Sequence, residues 1–392
     1  MSIEENLAYG ITKRLSFPRL VGSEGEKKAI EVVVDEFEKM GYNTVNREKF
    51  KTSLYNWKRS ELLFLISGIL YILLAISYYI LPILSLVVIS LIVICMLKLS
   101  KISDSNRIKL MKNERNNFET ENIYVNLKSK NSLANIIFMA HYDSKSQVFS
   151  SIIRIYLIMV SIFGGFLMLA VFFVLSVLKI IFIFNNLILN NILLGVSIVI
   201  GILAILNFFN KVGNKSPGAT DNATSVGTVI ALSKYFKNNP LENIDFTFLI
   251  TGSEELNLGG AINFIQKHKN ELDKDITYFI NYDLVGAHGV LRNITSHGIP
   301  KKTTSTKLNE LFLSSSKILG IEMKEIYLPT GAWGDHQPLI SAGYNACMLS
   351  STGSMKYVHS KIDTMSLVSK EGLKNIFSLS IGVANRLNKD LT

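Results

Sequence analysis

The chain has 392 residues, of which 48% are hydrophobic and 18% charged, and it carries a net charge of +10. The length allows one large domain or two ordinary ones, and the apolar excess excludes a chain that is soluble throughout, so membrane segments are expected. Much of the Lys and Arg flanks apolar runs, so the basic balance reads as juxtamembrane and not as a nucleic-acid surface.

Met1 to Tyr9 is polar and acidic, so no secretory signal peptide is expected. Residues 3–16 read as a short helix. Ser23 is a good N-cap for a helix over 24–40, where Ala29, Val32, Val33, Phe37 and Met40 recur at helical spacing and Gly41 ends the run. Residues 43–50 read as a strand. Two apolar runs follow, Leu62 to Tyr79 and Pro82 to Leu97, each about 16–20 residues and near the minimum for a bilayer span. Pro82 marks the turn of a transmembrane hairpin. The chain is then polar from Lys98 to Glu119. Strands follow over Glu121 to Leu127 and Asn135 to Ala140, the second nearly all apolar, as a strand covered on both faces must be. It runs into His141-Tyr142-Asp143-Ser144. A second apolar pair, Ile155 to Leu178 and Leu187 to Phe209, brings the spans to four. Cys95 and Cys347 read as buried free thiols.

Beyond Asn210 the pattern alternates. A helix is expected over Asp221 to Phe236, a strand over Asp245 to Ile250 and a helix over Gly259 to Lys269. Next come a strand over Thr277 to Tyr282, a helix over Ser305 to Leu319, a strand over Tyr344 to Leu349 and a last helix over Leu367 to Leu387. Alternation of this kind argues for a layered α/β sheet. The domain plan is one domain in three parts, 1–58, 99–147 and 211–392, interrupted by hairpins at 59–98 and 148–210.

Chemistry-bearing side chains follow closely on apolar strands: His141 and Asp143, the pair Glu254 and Glu255, and Asp283. Ligands gather beyond the carboxyl ends of strands in such sheets, so one rim can collect these groups, with Asp221 and His359 arriving from loops. A Glu-Glu pair or a single His is ordinary surface by itself. The informative feature is the whole set in this order and context.

That set resembles the M28 family of zinc peptidases, mostly aminopeptidases. His141-Tyr142-Asp143 resembles the family's His-x-Asp, and Gly218-Ala219-Thr220-Asp221-Asn222-Ala223 its loop with a bridging carboxylate. Glu254-Glu255, Asn281-Tyr282-Asp283-Leu284, Gly334-Asp335-His336-Gln337-Pro338 and Tyr357-Val358-His359 match further motifs, and Pro18-Arg19-Leu20-Val21-Gly22-Ser23-Glu24-Gly25 matches the usual opening. The resemblance implies a mixed central sheet flanked by helices, a three-layer α/β/α zinc-exopeptidase architecture, with the four spans inserted as two hairpins. It implies two zinc ions, one held by His141 and Asp283, one by Glu255 and His359, and both bridged by Asp221. Asp143 would orient the His141 imidazole and Glu254 would be the general base. Adjacent residues of extended chain point apart, which would let Glu255 face the metal and Glu254 the substrate. Trp333, Asp335, His336 and Tyr327 are candidates for substrate or loop contacts. The family's tyrosine before the Asp-His loop is replaced here by Gly331-Ala332-Trp333.

The implied activity is aminopeptidase action on a peptide. A carboxypeptidase, a glutaminyl cyclase and an inactive receptor-like homologue are the alternatives. His141 and Asp221 flank the second hairpin and must meet, so the chain crosses the bilayer an even number of times between them. Basic residues at the domain-side ends of the spans (Arg47, Lys49, Lys51, Lys58, Arg59, Lys98, Lys101, Arg107, Lys109, Lys112, Arg154, Lys211, Lys215) against Lys179 opposite place that domain in the cytoplasm by the positive-inside rule. The link from Phe209 to Asp221 reaches at most ~40 Å, so a peptide presented near the bilayer is the expected partner.

Overall fold

The structure, a computed structural model, describes residues 3–100, 118–182, 185–329, 334–353 and 355–391. Most of the polar stretch read between Lys98 and Glu119 lies outside these residues, as does Trp333. The chain forms two compact units. One comprises Met1–Ser53, Met111–Ser146 and Gly213–Thr392, the other Leu54–Leu110 and Gln147–Val212.

The first unit is built on a sheet that has nine strands among the described residues: β1 (Asn46–Thr52), β2 (Phe118–Leu127), β3 (Ala134–His141), β4 (Ile244–Thr251), β5 (Thr277–Tyr282), β6 (Leu291–His297), β7 (Lys302–Thr303), β8 (Met323–Leu328) and β9 (Asn345–Ser351). Their order is β1-β2-β4-β3-β5-β9-β6-β8, with β7 paired to β6. Strands β4, β3, β5 and β9 are mutually parallel, so their carboxyl ends share one rim. The outer pairings β1/β2, β2/β4 and β6/β9 are antiparallel, which makes the sheet mixed.

Burial explains the composition of the central strands. Phe138 on β3 stacks against Phe246 and Phe248 of β4, Tyr282 of β5 and Phe236, with ring centroids 5.9–6.0 Å apart. The opposite face packs Ile137, Met139, Leu249, Phe264 and Phe279 into a second core. A strand enclosed on both sides has no place for the polar alternation of an edge. Helices Ile3–Leu15, Thr224–Asn238 and Lys370–Asp390 pack against the Phe138 face, through Ala8, Val229 and Ile376 among others. Helix Gly259–His268 joins the other face through Ala261 and Phe264. The Glu24–Lys39 helix is capped by Ser23, whose hydroxyl accepts the Glu26 amide, and ends at Gly41 with a positive φ of 73°.

Some elements differ from the sequence-based expectation. The helix expected from Asp221 begins at Thr224, because Asp221 (φ −120°, ψ 81°) and Asn222 lie in non-helical backbone. The sequence reading also omits β6, β7 and β8. Strand β6 reads Leu-Arg-Asn-Ile-Thr-Ser-His, and β8 is a half-exposed edge, so neither carries an apolar signature.

Among the described residues of the second unit three helices are long and apolar enough to cross a membrane: Tyr55–Ile80, Ser151–Phe182 and Leu187–Phe208. At 1.5 Å per residue even the shortest of these reaches about 33 Å, against about 30 Å of hydrocarbon. The apolar stretch Pro82–Lys98 is shorter, at about 26 Å. These helices are apolar outside as well as inside, where Tyr71, Leu74, Ile92 and Phe172 form a core. Leu73, Leu91, Phe166, Leu167, Phe173 and Val199 face outward, while Ser67, Ser85, Ser161, Ser176, Ser197 and Asn207 are buried. Helices approach through small residues. A Cβ on Gly201 would lie 2.8 Å from the Gly68 carbonyl, and one on Gly165 would strike the Tyr71 hydroxyl. Ser85 and Ser176 share a hydrogen bond, and Asn207 donates to Ser161 Oγ at 3.2 Å. Small contacts and interhelical hydrogen bonds replace the hydrophobic driving force where the solvent is lipid.

Candidate metal centre

Each candidate side chain leaves a strand end or an adjoining turn. His141 is the last residue of β3, and Asp143 lies two residues on. Glu254 and Glu255 follow β4 in a turn that Ser253 enters with φ 58°, so the turn sets the two carboxylates apart, not strand alternation. Asp283 directly follows β5, and its amide continues the ladder to Leu349. Asp221 follows a turn at Gly218, where φ is 59° and a Cβ would sit 2.4 Å from the Asp221 carbonyl. Only glycine fits such a place. His359, also at positive φ, lies in the turn after β9.

These turns bring six of the expected side chains together. His141 Nε2 lies 3.5 Å from Asp221 Oδ1, 3.8 Å from Asp283 Oδ1 and 3.8 Å from Glu254 Oε2. His359 Nε2 lies 3.3 Å from Asp221 Oδ2 and 3.0 Å from Glu255 Oε2. The two oxygens of Asp221 thus face two different histidines. Two donor groups result, His141–Asp221–Asp283 and Asp221–Glu255–His359, each with ligand atoms within 4.8 Å of one another. Ligand atoms about 2.1 Å from one tetrahedral zinc are about 3.4 Å apart, so the observed spacings suit the ion. The buried atoms His141 Nε2 and Glu255 Oε1 have no hydrogen-bond partner among the described residues. Imidazole nitrogen and carboxylate oxygen are the donors zinc prefers, and orphaned buried donors of that kind fit a metal centre.

Side chains behind the donors clamp the backbone. His141 Nδ1 faces the Asp143 carbonyl at 3.1 Å, which fixes the Nδ1–H tautomer and presents Nε2. The Asp143 carboxylate lies 3.6 Å from the ring and has a further task. It accepts the amides of Glu254 (3.1 Å) and Glu255 (3.2 Å), one on each oxygen. Asp363 does the same for the other loop, accepting the Thr220 amide (2.8 Å), the Thr220 hydroxyl (2.6 Å) and the Asp221 amide (3.0 Å). Asn222 donates to the Tyr282 carbonyl and accepts the Leu284 amide, so it brackets Asp283. Buried Lys145 pairs with Glu255 Oε2 at 2.9 Å and donates to the Glu255 carbonyl at 3.1 Å. Sequence reasoning missed Asp363, Asn222 and Lys145 in these roles, although all three lie in or beside the motifs quoted above.

Charge crowding sets the protonation balance. Burial, then repulsion from Glu255 and Asp283, raises the Asp221 carboxyl well above the usual range. Burial also raises Glu254, against the opposing pull of His141. Burial would raise Glu255 too, but the facing His359 and Lys145 overcome it and hold that carboxyl well below the usual range.

The remaining candidates divide. Asp335 is buried and accepts the Thr251 hydroxyl at the end of β4, and burial pushes its carboxyl up to about 7. His336 is buried against the His297 ring and held neutral, pushed down to about 3 by burial and by His297. Tyr327 is 41% exposed and donates to the Gly298 carbonyl at 2.8 Å, apart from the donor groups.

The model of peptidase family M28 matches residues 204–384. No curated protein matches the chain. Among solved structures, the fold is similar to an Acidobacteriales bacterium glutaminyl cyclase (TM-score 0.57, 14% identity, 100% of this chain and 96% of that one). It is also similar to a zinc aminopeptidase from Bacillus subtilis (0.56, 13%, 98% and 95%) and an aminopeptidase from Aneurinibacillus sp. strain AM-1 (0.57, 15%, 97% and 93%). At such identities the likeness is one of fold. The family match spans Asp221, Glu254, Glu255, Asp283 and His359, and the mixed sheet delivers His141 beside them, so residues 204–384 are a segment of the peptidase family M28 type.

Proposed function

We propose that this chain is a membrane-anchored, zinc-dependent aminopeptidase. The observation that carries the reading is Asp221, whose two oxygens face two separate His-carboxylate groups with Glu254 alongside. His141, Asp221 and Asp283 would hold one zinc, and Asp221, Glu255 and His359 a second. When bound, zinc at such a centre supplies Lewis acidity that polarises a carbonyl and acidifies water. The protein's own proton carrier is Glu254. Its amide is anchored on Asp143, and its buried carboxyl has a raised proton affinity, which suits a group that accepts a proton from the attacking water and returns it to the leaving amine. The complete donor set and the base argue against an inactive receptor.

The anchor would be the four apolar helices, read as two hairpins. The basic flanks favour a cytoplasmic peptidase unit, and a reporter fused at the carboxyl terminus that is active only outside the cytoplasm would refute that orientation. The substrate would be a peptide presented at the bilayer, and equal cleavage of soluble and membrane-tethered peptides would count against this.

Activity is tested in detergent with a free-amine peptide and its acetylated twin, followed by mass spectrometry. Stepwise shortening of the free-amine peptide alone, lost with a chelator and in Glu254→Gln with zinc content retained, is the expected result. Shortening of both peptides would refute aminopeptidase action. Loss of ammonia from an amino-terminal glutamine, with chain length unchanged, would identify a cyclase instead.

A further inference from the structure

The opening motif around Arg19 is not used by the chemistry above, yet Arg19 lies under the centre and is 0% exposed. Among the described residues its guanidinium donates only to carbonyls. Nε bonds Tyr142, Nη1 bonds Leu15, Phe17 and Pro217, and Nη2 bonds Gly218. It therefore joins its own segment to the loop after β3 and to the loop that carries Asp221. None of these acceptors is charged, so no contact partner neutralises the buried cation. The charges that favour it stand further off: Asp363, Asp221, Asp143 and Glu255, all clamps or donors of the centre. Burial pulls the guanidinium down only to about 10, so it stays charged at neutral pH.

A buried cation without an ion-pair partner is costly unless a surrounding field repays it. Here the field comes from the crowded carboxylates, and Arg19 in turn favours the charged form of Asp363. We propose that Arg19 is a positioning residue that serves, behind the Lys145–Glu255 pair, as a standing counter-ion of the metal-free centre, holding the acidic loops together until metal arrives. The proposal rests on the metal-centre reading. Bound divalent metal would answer the same carboxylates and repel Arg19, so the charge on Arg19 stabilises the metal-free protein more than the loaded one.

The test uses the full chain in detergent, melted with excess zinc and with chelator, as wild type, Arg19→Gln and Arg19→Lys. Glutamine removes the charge, whereas lysine keeps it and loses the planar fork. The expected result is that zinc raises the Tm of Arg19→Gln by at least about 5 °C more than it raises that of wild type. Arg19→Lys should show the wild-type zinc increment, whatever its absolute Tm. Folding of Arg19→Gln only when zinc is present would be the same result in extreme form. Equal losses with and without zinc, or failure to fold in both, would make Arg19 a simple staple and overturn the proposal. A wild-type Tm that zinc leaves unchanged would instead overturn the metal reading beneath it.

Discussion

Asp363→Asn isolates the clamp on the Asp221 loop. The carboxylate accepts three hydrogen bonds, two from Thr220 and one from the Asp221 amide. The amide of asparagine can keep the Thr220 pair on its oxygen. Its NH2 then faces the Asp221 N–H, donor against donor. Bonds to a charged acceptor are worth about 1.5–3 kcal/mol and neutral ones about 1, and a buried N–H left unsatisfied costs about 1–3 kcal/mol. The sum is a loss of about 3–5 kcal/mol, or roughly 10 °C in Tm. Because the displaced residue faces both histidines, zinc affinity should also fall, by about 10–100-fold, as when a group that orients a ligand is removed. Melting in detergent measures the first quantity and competition against a chromophoric chelator the second. Thr220→Val, which removes only the hydroxyl bond, should cost far less on both. A variant that melts within about 2 °C of wild type and holds zinc as tightly would refute the clamp.

Two further predictions concern other parts of the molecule. Burial pushes the Glu26 carboxyl up to about 7 from 4.5, although Thr120 and the Gly22 amide bond to it. The folded state therefore prefers the protonated acid. Its contribution is complete below about pH 4.5 and is lost as pH rises through about 7, up to about 3 kcal/mol. Glu26→Gln should flatten the fall of Tm between pH 5 and 8, and parallel curves for variant and wild type would refute this. In the second unit, Gly201→Leu should lower the melting temperature and the monodisperse yield, since its Cβ would meet Ile72 at 2.7 Å and the Gly68 carbonyl at 2.8 Å. Gly195→Leu, with nothing within 4 Å, is the control, and identical behaviour of the two would refute the packing account.

His141, Glu255 and Asp283 were legible in the sequence because each ends or closely follows a strand whose burial on both faces enforces an apolar run, as Phe138 and Phe248 illustrate, whereas Asp221 and His359 come from turns. Where burial is partial the signal fades. Strand β8 (Met323–Leu328) mixes half-buried and exposed residues, with charges among them, and offers no apolar run. The clamps were opaque for another reason. Asp143 meets Glu254 across 111 positions, and Asp363 meets Thr220 across 143. A bond from a side chain to a distant main-chain amide leaves no pattern of spacing or hydropathy. Asn222 illustrates the point: it starts an Asn-x-Thr triplet, yet its amide is fully buried and spent on the Tyr282 carbonyl and the Leu284 amide.

The sheet order has a consequence for synthesis. Strands β2 and β3 are consecutive in the chain but not neighbours, because β4 lies between them and β5 flanks β3 on its other side. The partners of β3 are completed about 110 and 140 residues after it, which at 5–20 residues per second is on the order of 5–30 s of translation. During that interval a nearly all-apolar strand lacks a ladder partner, and the second pair of apolar helices emerges from the ribosome in the meantime. Strand β3 therefore cannot enter its ladder until β4 has been made, and an apolar strand must stay out of other pairings for that interval.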